Sequence, residues 1–289
     1  MEKGAKSKKS KSVKEVKTVK LSTLQKKGPV VKAESNYKQE FIKTNIASFD
    51  SLIGDGIPKG SASLVEGGPG SGKTIFCLEV LKNACQRGKR VLYMSFEEPE
   101  QRLIAHLRSF GADPDKYIKQ GNLQVKRFNA LDIARSVEAL LSEAKKELLI
   151  DVQPVLIPMD FKPDIVLIDS LSSIASAFSG EESRFRIYME QLFRYLEGHD
   201  MTSFLIREVS SPSHVGTNFV EAGEAVSFLS DGIIAMYNVF YKGGTRKRAV
   251  EVVKMRGTDI DRRIVEFDIK KGKGFVVNGK TLKGDYVLT

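Results

Sequence analysis

Val65-Glu66-Gly67-Gly68-Pro69-Gly70-Ser71-Gly72-Lys73-Thr74 fits the G-x-x-x-x-G-K-[ST] phosphate-binding loop from Gly67 to Thr74. A loop that wraps a polyphosphate turns its backbone N–H groups inward through conformations, φ > 0 among them, that a Cβ penalises, which is why glycine recurs in it. Gly68, Pro69, Gly70, Ser71 and Gly72 are read as the cradle, with Ile75 in the helical turn beyond it. Lys73 reaches for the β- and γ-phosphates and Thr74 offers its hydroxyl to Mg²⁺. The N-terminus of the helix that follows adds partial positive charge.

A chance Gly-rich turn is the plain alternative, and the context argues against it. Ser63-Leu64-Val65 is a short apolar strand leading into the loop. From Thr74 to Arg87, Ile75, Leu78, Glu79 and Leu81 recur at helical spacing, and Gly88 is placed to end that helix. Further on, Asp164-Ile165-Val166-Leu167-Ile168-Asp169 is an apolar strand ending in a carboxylate, the form of a Walker B strand.

With 289 residues, 41% of them hydrophobic, the chain has material for one large α/β domain or two small ones. No apolar run approaches a membrane span and the N-terminus lacks a signal-peptide core, so no membrane association and a cytoplasmic location are expected. Cys77 and Cys85, eight apart on the helix after the loop, read as ordinary core residues, with no His nearby to make a metal site. The net charge of +10 is a property of the tail: residues 1–33 hold 11 Lys and two Glu, a net +9, which leaves +1 for all the rest. Residues 1–33 are rich in Lys and Ser and lack aromatics, and residues 1–38 are expected to be a disordered basic arm, suited either to nucleic acid or to solubility.

Beyond the tail, 39–289 reads as one domain. Apolar periodicity begins near Phe41, with a short helix and a turn before the first core strand. Arg90 to Phe96 is a second strand, apolar on both faces, followed by a helix from Pro99 to Phe110. A strand at Leu123 to Phe128, a helix at Leu131 to Leu149, an insertion over 150–162, the Asp164–Asp169 strand, a helix at Arg184 to Glu197 and a strand at Met201 to Arg207 continue the alternation. That order predicts a mostly parallel, doubly wound α/β sheet. Residues 229–237, 247–255 and 263–268, rich in Val, Ile and Tyr, predict hairpins that add antiparallel strands at its edge.

Ligands of an open parallel sheet bind at the carboxyl ends of its strands, so motifs that each end a strand converge. Asp169 is expected to hold Mg²⁺ through water while Thr74 binds it directly. Glu97 and Glu98, after the second strand, are candidates for the base that orients an attacking water. Alternation lets only one of them face the phosphate, and both have a plain alternative as charges at a helix N-terminus.

Phe49-Asp50-Ser51-Leu52-Ile53-Gly54-Asp55-Gly56-Ile57-Pro58-Lys59-Gly60, Phe96-Glu97-Glu98, Ser109-Phe110-Gly111, Ile168-Asp169-Ser170 and Lys254-Met255-Arg256-Gly257-Thr258 together resemble KaiC-type ATPases of the RecA superfamily, from about Phe41 to Thr289. The single-domain archaeal relatives are the nearest form, because this chain holds one phosphate loop where KaiC holds two. The resemblance implies a RecA-like P-loop fold, ATP and Mg²⁺, slow hydrolysis, and a homo-oligomer, a hexameric ring or a filament, with nucleotide between subunits. It also implies that Lys254 and Arg256 act on a neighbour's γ-phosphate; a Lys-x-Arg strand end puts both on one face, though a solvated strand edge explains them too. The loop over 208–223, which corresponds to a DNA-binding loop in recombinases, has no Lys or Arg, and its His214 reads as a surface residue. No Ser-Thr pair for an autokinase is placed by motif. Beside a regulatory ATPase with an unidentified protein partner, two other readings stay open: an ATP-dependent single-strand-DNA-binding repair accessory, and a nucleotide-gated scaffold with negligible turnover.

Overall fold

A computed structural model describes residues 38–144, 157–158, 160–178, 180–209 and 224–289. In chain order the elements are β1 (Phe41–Ile42), α1 (Ala47–Asp50), β2 (Ile57–Pro58), β3 (Ala62–Gly67), α2 (Lys73–Gln86), β4 (Val91–Ser95), α3 (Glu100–Ser109), α4 (Pro114–Lys119), β5 (Leu123–Arg127) and α5 (Ala130–Ala144). They continue with β6 (Ile165–Asp169), α6 (Leu171–Ala177), α7 (Glu182–Gly198), β7 (Thr202–Glu208), α8 (Glu224–Leu229), β8 (Gly232–Tyr241), β9 (Arg246–Met255), β10 (Val265–Lys270), β11 (Gly274–Thr281) and β12 (Tyr286–Leu288). The expected basic arm lies outside the described residues but for its last, Lys38, as do the end of the predicted 131–149 helix and most of the 150–162 insertion. Among the described residues no helix is long and apolar enough to cross a membrane.

Ten strands form one sheet in the order β11-β10-β9-β8-β3-β7-β6-β4-β5, with β12 on β8, and β1 and β2 pair apart. The six strands from β8 to β5 are parallel to their neighbours; β9 to β12 pair antiparallel. All six residues of β3 are buried, because it lies between β7 and β8 with helices on both faces. Its side chains alternate: Val65 joins Tyr93, Leu167, Phe204 and Ile234 under α2, while Leu64 joins Met94, Ile168 and Leu205 under α6 and α7. On the α2 face the fully buried Phe76 ring meets Phe49, Phe275 and Phe204 edge-on, with centroids 4.9, 5.3 and 6.3 Å away. Cys77 and Cys85 are buried free thiols on α2.

The last third departs from expectation in one respect. β9, β10 and β11 add to the sheet as antiparallel strands, but the strand predicted at 229–237 is β8, parallel to β3 and interior. Its residues are buried on both faces, Ile234 and Met236 on one and Ala235 and Tyr237 on the other, so it needs a neighbour on each side. Antiparallel pairing begins one strand later, at the β8–β9 hairpin.

The register sets one rim. Gly67 stands opposite Glu208 and Met236, and Ser95 opposite Asp169, so the ends of β3, β7, β4 and β6 line up where the helices α2 and α6 begin.

Candidate functional site

At that rim the phosphate loop leaves β3. Gly67 has no room for a side chain: a Cβ would sit 2.2 Å from Met236 O. Gly72, with φ of 104°, is the left-handed residue that starts α2. Lys73 is buried, and its Nζ donates to Gly67 O at 2.9 Å and Gly68 O at 3.0 Å, with Glu208 Oε1 3.6 Å away. Burial lowers its pKa, against the pull of Glu208 and Asp169. Ser71 Oγ is buried without a hydrogen-bond partner among the described residues, a polar atom of the cradle left over for something else. The apex is pinned from the sheet: Asn238 Nδ2 donates to Pro69 O at 3.2 Å and Arg248 Nε to Gly70 O at 3.0 Å.

Beside the loop lies a cavity of about 310 Å³ lined by Lys73, Thr74, Ile75, Glu97, Asp169 and Glu208, among others. Thr74 Oγ1 donates to Asp169 Oδ2 at 3.0 Å, and the buried Tyr93 hydroxyl donates to the same oxygen at 2.7 Å. Burial pushes the Asp169 carboxyl up to about 6; the Tyr93 and Thr74 hydrogen bonds and Lys73 oppose that rise, and Glu97 adds to it.

The two glutamates part company. Glu97 lines the cavity, and its Oε1 accepts from Ser170 Oγ and from Ser173 Oγ, the latter at 3.0 Å. The backbone of Glu98 is folded back on β4, its N–H donating to Ser95 Oγ at 3.0 Å and its carbonyl accepting from that hydroxyl at 2.8 Å. The Glu98 carboxylate lies 3.7 Å from His106 Nδ1 on α3, away from the cavity lining.

Lys254 and Arg256 are not brought to this rim. In the register Lys254 faces Ile233, and Met255 faces Gly232 at the start of β8, where Gly232 also pairs with Ser63 near the start of β3. That is the amino-terminal end of the parallel strands. Lys254 Nζ donates to Ser227 O and Ser230 O, and Arg256 bonds Asp231 Oδ1 at 3.2 Å and Phe228 O at 3.0 Å. Most of the 208–223 loop, His214 included, lies outside the described residues.

Three residues of the site escape a reading of the sequence. Tyr93 looks like one more apolar strand residue, Glu208 like the start of a loop, and Arg248 like one cation in a basic hairpin. Only the sheet order brings them to the phosphate loop.

The group that the loop implies fits what is present. A narrow backbone cradle, a buried lysine, an unpartnered serine hydroxyl and an open cavity suit a polyphosphate. Two hard oxygens, Thr74 Oγ1 and Asp169 Oδ2, suit Mg²⁺, which takes few protein ligands and completes its shell with phosphate and water. Among the described residues no group of three or more His, Cys, Asp or Glu is placed to hold an ion unaided.

A family model described as "ATPase: KaiC" matches residues 42–281. The chain is 29% identical over 253 residues to the UPF0273 protein PH0284 of Pyrococcus horikoshii, covering 86% of this chain and 98% of that protein. To the circadian clock oscillator protein KaiC of Thermosynechococcus vestitus it is 28% identical over 228 residues, 79% of this chain but 40% of the clock protein, so the match spans well under half of that relative's length. Among solved structures, the KaiC-like protein PH0186 of Pyrococcus horikoshii matches with a TM-score of 0.64 and 26% identity, over 83% of this chain and 99% of that one. With a phosphate loop on the middle strand, a carboxylate at the end of β6 and a family match running through nearly all of the described fold, the chain belongs to the KaiC family of ATPases, built on the RecA-superfamily P-loop fold.

Proposed function

We propose that this chain is a Mg²⁺-dependent ATPase of slow turnover that works as a homo-oligomer, a ring or a filament, in the service of a regulatory partner. The observation that carries the hydrolytic part is the place of Glu97. Its carboxylate lines the same cavity as Lys73 and Thr74 and is held by two serines through one oxygen, Oε1. Oε2 is then the acceptor for a proton of the attacking water, so Glu97 orients and polarises that water. Lys73 would hold phosphate oxygens of ATP, and Thr74 Oγ1 and Asp169 would hold the ion. Bound Mg²⁺ supplies charge neutralisation on the phosphoryl oxygens.

The positions of Lys254 and Arg256 support the oligomer. Both lie at the rim opposite their own phosphate loop, so a role at a γ-phosphate is one played at another copy's site. The deciding experiment compares Glu97→Gln with Glu98→Gln. Glu97→Gln is expected to keep ATP binding and lose roughly 10²-fold or more in turnover, the usual worth of a positioned base; Glu98→Gln is expected to turn over normally. Wild-type turnover in Glu97→Gln would refute the assignment.

A further inference from the structure

We infer that Tyr93 is a positioning residue of the metal site, one whose buried hydroxyl holds the Asp169 carboxylate in the orientation that receives Mg²⁺. The inference rests on the reading of Asp169 as a holder of the ion, and adds to it a residue that does not line the cavity and belongs to no part of the loop motif.

Three observations lead there. The first is where the hydroxyl goes. Tyr93 stands opposite Leu167 in the β4–β6 register, and Asp169 lies two residues further along β6 on the same face. The phenol therefore runs diagonally along the strand pair, and its hydroxyl donates to Asp169 Oδ2 at 2.7 Å. Its fully buried ring packs in the apolar core with Val65, Leu167 and Phe204, a place that phenylalanine would fill as well. A hydroxyl there costs free energy unless it is bonded, and Asp169 is its partner. The second is how the carboxylate is held. The main chain of Asp169 is fixed, its carbonyl accepting from Phe96 N at 2.6 Å, whereas the last torsion of an aspartate side chain is soft and takes its setting from hydrogen bonds. Oδ2 accepts from Tyr93 and from Thr74 Oγ1, and among the described residues no hydrogen bond reaches Oδ1, which is left for the shell of an ion. Lys73 does not compete for it, since its Nζ turns to Gly67 O, Gly68 O and Glu208. The third is the independence of the two anchors. Thr74 is itself a proposed ligand of the ion, so its hydroxyl serves two masters once the site is loaded. Tyr93, beneath the cavity, holds Oδ2 whether or not the ion is there.

The competing role is that of a core ring whose hydroxyl only satisfies itself on a nearby carboxylate. Tyr93→Phe separates the two, since it keeps the ring and deletes one oxygen. Tyr237→Phe is the control: Tyr237 is equally buried, and its hydroxyl donates to Glu251 Oε2 at 3.0 Å, away from the cavity lining. The full chain, as wild type and as each variant, is loaded with the non-hydrolysable analogue adenylyl imidodiphosphate. Mn²⁺, a paramagnetic substitute for Mg²⁺, is then titrated in and followed by electron paramagnetic resonance, while affinity for the analogue is measured separately in EDTA. Tyr93→Phe is expected to weaken Mn²⁺ binding on the order of tenfold, the low end of what losing the hydrogen-bond partner of a metal ligand costs. Its affinity for the analogue in EDTA is expected to match the wild type, and Tyr237→Phe is expected to match it in both measurements. Wild-type Mn²⁺ affinity in Tyr93→Phe would overturn the inference. An equal loss of Mn²⁺ in Tyr237→Phe, or loss of the analogue by Tyr93→Phe in EDTA, would overturn it too, because either result marks a general loosening of the core. A wild-type chain that binds the analogue and retains no Mn²⁺ would bring down the metal reading itself, a result read from the wild type alone and so distinct from a failure of Tyr93.

Discussion

β9 carries cations to both ends of the sheet, and the two ends use them differently. Near its start, Arg248 reaches the phosphate loop with a single bond and keeps the rest of its fork beside the cavity. At its other end Lys254 and the following Arg256 each make two bonds, all to Ser227, Phe228, Ser230 and Asp231 around the junction of α8 and β8. There burial depresses the Lys254 pKa, with Arg256 adding to the effect. Because β8 runs with β3 and β9 runs against both, a few residues along β9 separate a group of the home site from a group that faces away from it. Membership of the site is decided by strand direction and register, and closeness in sequence says little about it.

The comparison breaks most visibly at Arg256. If the far rim serves another copy, Arg256→Ala binds ATP as the wild type does yet hydrolyses it on the order of 10³-fold more slowly, the scale of a lost arginine finger. Mixed with Lys73→Ala it regains activity, because some interfaces pair an intact loop with an intact Arg256. A mixture that exchanges subunits and stays inactive removes the far rim from catalysis. Lys73→Ala strikes the near rim alone: truncating a buried, hydrogen-bonded cation costs about 2–5 kcal/mol, so ATP affinity in a direct binding titration is expected to fall by roughly 10²-fold while Arg256→Ala leaves it unchanged.

The near rim also carries a titration. Asp169 has its pKa raised from 3.8 to about 6 chiefly by burial. The folded chain then holds this proton more tightly than the unfolded chain between about pH 4 and 6, so the contribution of Asp169 to stability is present below that window and is lost as pH rises through it. Thermal unfolding of the nucleotide-free protein across pH 4 to 7 is expected to show the wild type losing ground to Asp169→Asn as pH rises; parallel curves for the two would disprove the shift. The smallest effect is expected from removal of residues 1–33, which takes away +9 of charge. ATP turnover should hardly change, whereas any nucleic-acid affinity should drop along with its salt slope; loss of turnover would mean that the arm belongs to the domain.

What could be seen in the sequence was whatever is local. The glycines, Lys73 and Thr74 are spaced by the geometry of a single loop, and Asp169 ends a run of apolar residues, so each announces itself within ten residues. The choice between Glu97 and Glu98 was beyond reach, because alternation says that one points in without saying which; the Glu98 backbone is folded aside by the hydrogen bond its N–H donates to Ser95 Oγ and the one its carbonyl accepts from that hydroxyl. Tyr93 hid in an apolar strand whose pattern gives no sign that its hydroxyl meets Asp169. The 229–237 strand does form the expected hairpin with β9, but its second, parallel pairing with β3 is not legible, because a buried apolar run reads alike in either orientation and β3 lies far back in the chain.

That distance has a consequence for how the protein is made. β3 is joined on one side by β7 and on the other by β8; Gly60 bonds a residue 142 positions ahead, and Ala62 one 169 ahead. During synthesis at about 5–20 residues per second, the loop that will hold nucleotide is among the first parts of the domain to emerge, yet both strands that flank it are missing for several seconds more. Until β8 leaves the ribosome, one side of β3 is an unpaired apolar edge, open to the wrong partner. The strands that flank the phosphate loop are therefore completed long after the loop itself, and a nascent chain stalled before β8 leaves that edge exposed.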